Sequence, residues 1–345
     1  MRLPLWISPD PRHVVALIAH VAFPEPGAHV LERFVLERPL ASGAMGEVWV
    51  GRVRGERDKV AIKLARGTER DRAGREAEAL SLLDHPGIVG FVTAGEEQDH
   101  AVLVMELVDG VPLSRSLKSN PPTPAQAIDY ARQVCEALVH AHGRGVVHRD
   151  VKASNLLLSR GLSGDRLVLI DFGLGLVEGG QRVSSSDVVL GSVHTMPPEQ
   201  LAGETSDGRA DVYSLASLLF RMLSGHYPFH ASSSVQVLAM HAHAKVPELR
   251  ERIDAPLTVP RDLPELVTRC LQKAPDARPD ADTLLGALSA LPAEGEGAWV
   301  TIQPDVPAPE GRTREEEPPV AITPLGVALG GLAVAVVVVA LWWML

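Results

Sequence analysis

A handful of polar residues at regular spacings could do chemistry together. Lys63 closes the apolar run Val60-Ala61-Ile62-Lys63, and Glu76 follows in "ERDRAGREAEALSLLDH". The stretch "VVHRDVKASNLLL" gathers His148, Arg149, Asp150, Lys152 and Asn155, and "LIDFGLG" places Asp171 sixteen residues beyond Asn155. A lysine on a buried strand needs an anion, which bound phosphates could supply, with Glu76 holding the ammonium in place. An Asp and an Asn beside a polyphosphate are hard-oxygen ligands suited to Mg²⁺. A second Asp can accept a hydroxyl proton, or orient that hydroxyl for in-line attack. Upstream, "LASGAMGEVW" (40–49) is a glycine-bearing turn in which backbone N–H groups can approach phosphate oxygens. Alone, Gly43-x-x-Gly46 is what ordinary turns produce.

The elements that must position these residues are legible as patterns. "RFVLERPLASG", "EVWVGRV" and "KVAIKLA" are short, Val-rich or alternating, and bounded by Gly or charge, so they read as strands. The glycine turn therefore joins strand to strand, whereas a dinucleotide fingerprint needs strand–turn–helix. Helical periodicity follows, with Leu80 and Leu83 on one face and Pro86 as the stop. "IVGFVTAGEE" and "HAVLVMELVDG" are two further strands. Beyond about residue 112 helices dominate: "TPAQAIDYARQVCEALVHAHGRG", "RADVYSLASLLFRMLSG", "LPELVTRCLQ" and "DADTLLGALSAL". Strands first and helices later predict an α+β chain with two unequal lobes.

Composition removes several function classes. The net charge of −10 argues against non-specific binding to a nucleic-acid backbone, which needs many Lys and Arg to displace counterions. Two distant cysteines, Cys135 and Cys270, make neither a disulfide framework nor a zinc site. His140/His142 and His241/His243 are i, i+2 pairs that diverge on a helix, so they do not read as metal ligands.

The ordered set GxxG, VAIK, Glu76, HRDxKxxN, DFG and PPEQ resembles the eukaryotic-type (Hanks) protein kinases over roughly residues 33–291. "GAMGEVW", "HPGIV", "MPPEQ" and "DVYSLA" look most like the bacterial serine/threonine branch. The resemblance implies an α+β bilobal protein-kinase fold, with a small β-rich N-lobe and a larger helical C-lobe. It implies an ATP site made by Leu40, Gly43, Gly46, Val48, Ala61, Lys63, Met105, Glu106, Val108 and Leu157. Within that site Met105 is similar to the gatekeeper, Glu106 to Val108 to the adenine hinge, and Leu157 to the adenine floor. Asp150 matches the catalytic base, Lys152 the γ-phosphate lysine, Lys63 and Glu76 the phosphate-gripping ion pair, and Asn155 and Asp171 the Mg²⁺ ligands, with Mn²⁺ as a substitute. His148 and Phe172 are expected to pack the site, and Glu199 to pair with Arg278 of "PDARP".

The departures are specific. Ala41 stands where the family has its first loop glycine; alanine costs only where φ is positive, and the expectation is weakened or slower nucleotide handling, not its loss. In "GSVHTMPPEQ", Ser192 replaces the usual threonine, Val193 a proline and Thr195 an aromatic residue, which bears on substrate preference. Arg149 before Asp150 often accompanies a phosphate on the activation segment, and Ser184, Ser185, Ser186 and Ser192 are the candidate acceptors.

The chain divides into an N-terminal extension (1–32), the kinase domain (33–291), a Pro/Glu-rich linker (292–321) and an apolar segment (322–345). "LGVALGGLAVAVVVVALWWML" (325–345) has no charge, and 21 residues at about 1.5 Å each match the bilayer core. Trp342 and Trp343 suit an aromatic belt. Gly326 and Gly330 form a GxxxG through which a homodimer could pack. The expectation is a single-pass protein of the inner (plasma) membrane with no domain beyond the span. Its kinase domain faces the cytoplasm, using ATP and Mg²⁺ on Ser/Thr of protein substrates, itself included, with no nucleic-acid partner. Two rivals are a pseudokinase acting as a membrane scaffold, which would usually lose a member of the Lys63, Glu76, Asp150, Asn155, Asp171 set, and a small-molecule phosphotransferase, which would lack the Arg-Asp-x-Lys loop.

Overall fold

The computed structural model describes residues 25–43, 46–161, 164–172, 176–177 and 193–305. In chain order these form β1 (His29–Val30), β2 (Phe34–Gly43), β3 (Gly46–Val53), β4 (Lys59–Ala65), α1 (Glu69–Ser81), β5 (Phe91–Glu97) and β6 (His100–Glu106). Then come β7 (Val111–Pro112), α2 (Leu113–Ser119), α3 (Pro124–His142), β8 (Val146–Val147), β9 (Leu156–Gly161), β10 (Gly164–Leu169) and β11 (Leu176–Val177). The remainder is α4 (Pro198–Leu201), α5 (Arg209–Ser224), α6 (Ser234–His243), β12 (Leu257–Pro260), α7 (Leu263–Cys270), α8 (Ala281–Ser289) and β13 (Trp299–Ile302).

The first six strands make one antiparallel sheet in the order β1-β2-β3-β4-β6-β5. Its two faces belong to different cores, as the period-2 alternation of strands requires. Ile62, Leu64, Trp49 and Val104 point into a core confined to the β-rich region. Leu103 and Met105, alternating with them, join the large core built by α3, α5, α7 and α8. That second face carries Lys63, because Lys63 lies opposite Leu103 on β6 and Val48 on β3. The sheet register thus turns one face of a small β layer toward the helical part, and the functional lysine with it.

The helices follow their sequence signals. α3 starts with Thr123 and Gln126 in a reciprocal capping box and Pro124 in the first turn, and buries Tyr130, Val134, Cys135, Leu138 and Ala141. α5 is buried along nearly all of its length, from Ala210 to Leu223, which makes it the central helix of this region. Cys135 and Cys270 are free and buried, their thiols pushed up to about 12 by burial, so they behave as small apolar side chains.

Two boundaries move. The expected extension 1–32 contributes β1, whose His29 and Val30 pair with Val35 and Phe34. The expected linker from 292 contributes β13, which pairs along its whole length with β12. Trp299 Nε1 donates to the carbonyls of Pro292 and Ala293, and Asp305 N donates to Arg250 O. Proline- and glutamate-rich composition masked "WVTI", a short β-forming run that finds an open edge on β12. Among the described residues no helix is long and apolar enough to cross a membrane; the apolar run 325–345 lies outside them.

Candidate active site

Register brings together four of the residues expected to face a nucleotide. Lys63 and Ala61 are two apart on β4 and so share a face; Val48 lies opposite Lys63, and Met105 opposite Ala61. Leu40 sits at an irregularity between β2 and β3 and is half exposed. Glu106 N donates to Gly90 O, and the exposed Glu106 carboxylate faces Arg166 at 3.8 Å. Val108 packs against the large core just beyond, and Leu157 on β9 is half buried across from Val168.

The glycine loop resolves the Ala41 question. Ala41 is within β2, paired with Val48, and is not among the residues with positive φ. Its side chain therefore costs nothing in backbone strain. Gly46 is different: its φ is +106°, and a Cβ there would lie 2.2 Å from Leu64 O. Only glycine lets β3 start this close to β4. A Cβ on Gly43 would meet nothing within 4 Å.

Lys63 Nζ lies 2.6 Å from Glu76 Oε2 and 3.4 Å from Asp171 Oδ1. Burial works against the ammonium, but the Glu76 and Asp171 carboxylates outweigh it and raise its pKa, so the charge is held. Burial likewise works to raise Asp171, and Lys63 and Arg72 overcome it, keeping that carboxyl below its ordinary value. Arg72, one turn before Glu76 on α1, is 4.0 Å from Asp171; nothing in the sequence patterns had singled it out.

The catalytic loop is pinned from beneath. Asp211 on α5 accepts from the backbone N–H groups of His148 at 2.9 Å and Arg149 at 2.7 Å, and its Oδ2 is 2.8 Å from His142 Nε2. Arg149 adopts φ +66° and Asp171 φ +64°, conformations that non-glycine residues hold only when their surroundings fix them. His148 is buried, with Nδ1 accepting from Asp150 N and Nε2 donating to Ile170 O, which sets its tautomer. Its ring meets Phe172 edge-on at 4.5 Å. Lys152 Nζ and Asn155 Nδ2 both donate to Asp150 Oδ2, at 2.7 and 3.1 Å, and Asn155 Nδ2 also reaches Asp150 O. Further along, Arg278 clasps Glu199 through two hydrogen bonds of 2.7 and 2.8 Å, the structural pair expected from the resemblance.

Asp171 and Asn155 carry the side-chain oxygens that could hold a divalent ion. Both Asn155 Nδ2 partners are acceptors, and its amide oxygen accepts from Ser154 Oγ at 3.4 Å. Among the described residues no three His, Cys, Asp or Glu side chains form a cage. Gly173, Ser184, Ser185, Ser186 and Ser192 lie outside the described residues.

A family model described as "Protein kinase domain" matches residues 34–287. The chain belongs to the protein kinase family. It is similar to "Serine/threonine-protein kinase pkn2" of Myxococcus xanthus, 39% identical over 78% of this chain and 34% of that protein. PknB of Mycolicibacterium smegmatis, also a serine/threonine-protein kinase, is 33% identical over 91% of this chain and 55% of its own length. For PrkC of Bacillus subtilis the identity is 31%, over 72% and 39%. The chain thus spans between about a third and just over half of these relatives. Asp211, His142 and Arg72 are the site residues that motif reading missed. The available signal was an Asp inside the otherwise apolar "ADVYSLASLLF".

Two predictions follow from this kinase geometry. Gly46→Ala will raise the KM for ATP and destabilise the domain by about 2 kcal/mol, while Ala41→Gly leaves both within error, as read by steady-state kinetics and thermal melts. For Asp211, burial works to raise the pKa, and the His142 hydrogen bond and charge and the His148 N–H overcome it, leaving the pKa lowered. Its contribution to stability is therefore complete above about pH 4 and is lost as pH falls through the depressed value. Asp211→Asn will cost about 3 kcal/mol at pH 7 and flatten the acid limb of a stability–pH profile measured by denaturant unfolding.

Proposed function

We propose that this protein transfers the γ-phosphoryl group of ATP, with Mg²⁺, to serine or threonine hydroxyls of proteins, its own activation segment included. The observation that carries the reading is the complete set Lys63, Glu76, Asp150, Asn155 and Asp171 in mutually supporting geometry. A scaffold has no need to keep Asp150 accepting from Lys152 and Asn155. Asp150 receives the hydroxyl proton as the acceptor oxygen attacks, its carboxylate oriented by those two donors at Oδ2. Lys63 holds the α- and β-phosphates, and Lys152 faces the transferring group. Bound between Asn155 and Asp171, Mg²⁺ would neutralise charge on the phosphate oxygens. The main work of the protein is positioning and charge stabilisation.

The uncharged run 325–345 supports a second part of the reading, that the kinase domain is tethered to the plasma membrane on its cytoplasmic side. Self-association through Gly326 and Gly330 fits the same segment.

With full-length protein and Mg-ATP, phosphate will appear on Ser or Thr of the kinase and of an added basic protein. Asp150→Asn will reduce transfer by about 10²- to 10⁴-fold with ATP binding retained. Equal transfer by the variant would favour the scaffold. Recovery of the full chain, but not of residues 1–305, in the membrane fraction tests the tether.

A further inference from the structure

Substrate choice is what the departures at Val193 and Thr195 leave open, and the segment carrying them is tied to the catalytic loop. Gln200 on α4 donates Nε2 to Arg149 O at 3.0 Å. Thr195 O accepts from Ser214 Oγ at 2.7 Å, on the same helix and about one turn past the Asp211 that holds Arg149. Val193 and Thr195 are buried, Val193 against Phe229 and Val237. Between them His194 remains partly exposed.

The His194 ring lies on Tyr227, with centroids 4.7 Å apart and planes within 6°. The exposed His230 continues the stack at 6.3 Å and 16°. Arg221 on α5 donates to Tyr227 Oη at 2.8 Å and sits 4.6 Å from the centre of its ring. Asp254 nearby is engaged by His226 at 2.9 Å. On a chain of net charge −10, the Arg221 guanidinium is a local positive charge beside two imidazole rings.

We infer that His194, Tyr227, His230 and Arg221 form a shelf that selects an acidic side chain on the protein substrate, close to the accepting hydroxyl. The inference rests on the protein-kinase reading above. Arg221 has five N–H donors and spends one on Tyr227, and the His230 edge adds another; both match a carboxylate. The ring stack fixes the donors in place, so little side-chain freedom is lost on binding. Arg221 lies ten residues along α5 from Asp211, about 15 Å, which is the reach of about four residues of extended chain.

The test uses the full-length kinase, Mg-ATP and a degenerate peptide library centred on one serine. Acid-bearing members should be phosphorylated about threefold faster than alanine-bearing ones, the size of an exposed charge pair. His230→Glu should abolish that ratio and favour lysine at the same position, and Arg221→Gln should reduce it. A preference for apolar residues there, no preference, or an acid preference unchanged in both variants would overturn the inference. Total incorporation reports phosphoryl transfer and the ratio reports the shelf, so the two readings fail separately. A change that merely loosened the fold would lower the total and leave the ratio alone.

Discussion

The buried ion pair between Lys63 and Glu76 is the constraint on which the rest depends. Both side chains are almost fully enclosed, and taking two charges out of water is costly unless the geometry is good and further partners are present. The partners come from three elements: β4 supplies Lys63, α1 supplies Glu76 and Arg72, and the end of β10 leads to Asp171. For the pair to form, α1 must lie against the sheet and Asp171 must turn inward. The ion pair thus reads the position of a helix and a loop at once. It leaves an ammonium, rather than an apolar side chain, on the sheet face that looks toward the catalytic loop.

A second buried charge does the corresponding work below. Asp211 takes up two backbone N–H groups of the loop that leads to Asp150. That fixes Arg149 in a left-handed conformation which would otherwise cost about 1–2 kcal/mol. Asp150 then accepts from Lys152 and Asn155, so its carboxylate is set by a chain of bonds reaching into the central helix. Energetically, the site rests on two buried carboxylates: Glu76 holds the Lys63 ammonium, and Asp211 holds Arg149 in a backbone conformation that local preference would not choose.

Much of this was legible because the chemistry sits in short contiguous motifs. Lys63, Asp150, Asn155 and Asp171 announce themselves by their neighbours, and the strands of the sheet by alternation and glycine punctuation. Asp211, His142 and Arg72 did not, because their partners are distant in sequence and only the packing of α1, α3 and α5 brings them to the site. The β9–β10 hairpin, α2, α6 and the β12–β13 pair were missed as well. β13 is a four-residue strand inside a Pro- and Glu-rich stretch, stable only through its partner edge. Conversely, Ala41 looked like a defect by motif and is none by geometry, since an extended residue has no need of glycine's freedom.

The most direct test of the account is a double-mutant cycle on the ion pair. Transfer rates and ATP affinity would be measured for Lys63→Met, Glu76→Gln and the combined variant. If Glu76 acts through Lys63, each single change lowers transfer by about 10²-fold or more, and the double variant is little worse than Lys63→Met alone. Additive losses, or a Glu76→Gln enzyme with unimpaired transfer, would contradict the claim that this pair positions the catalytic machinery.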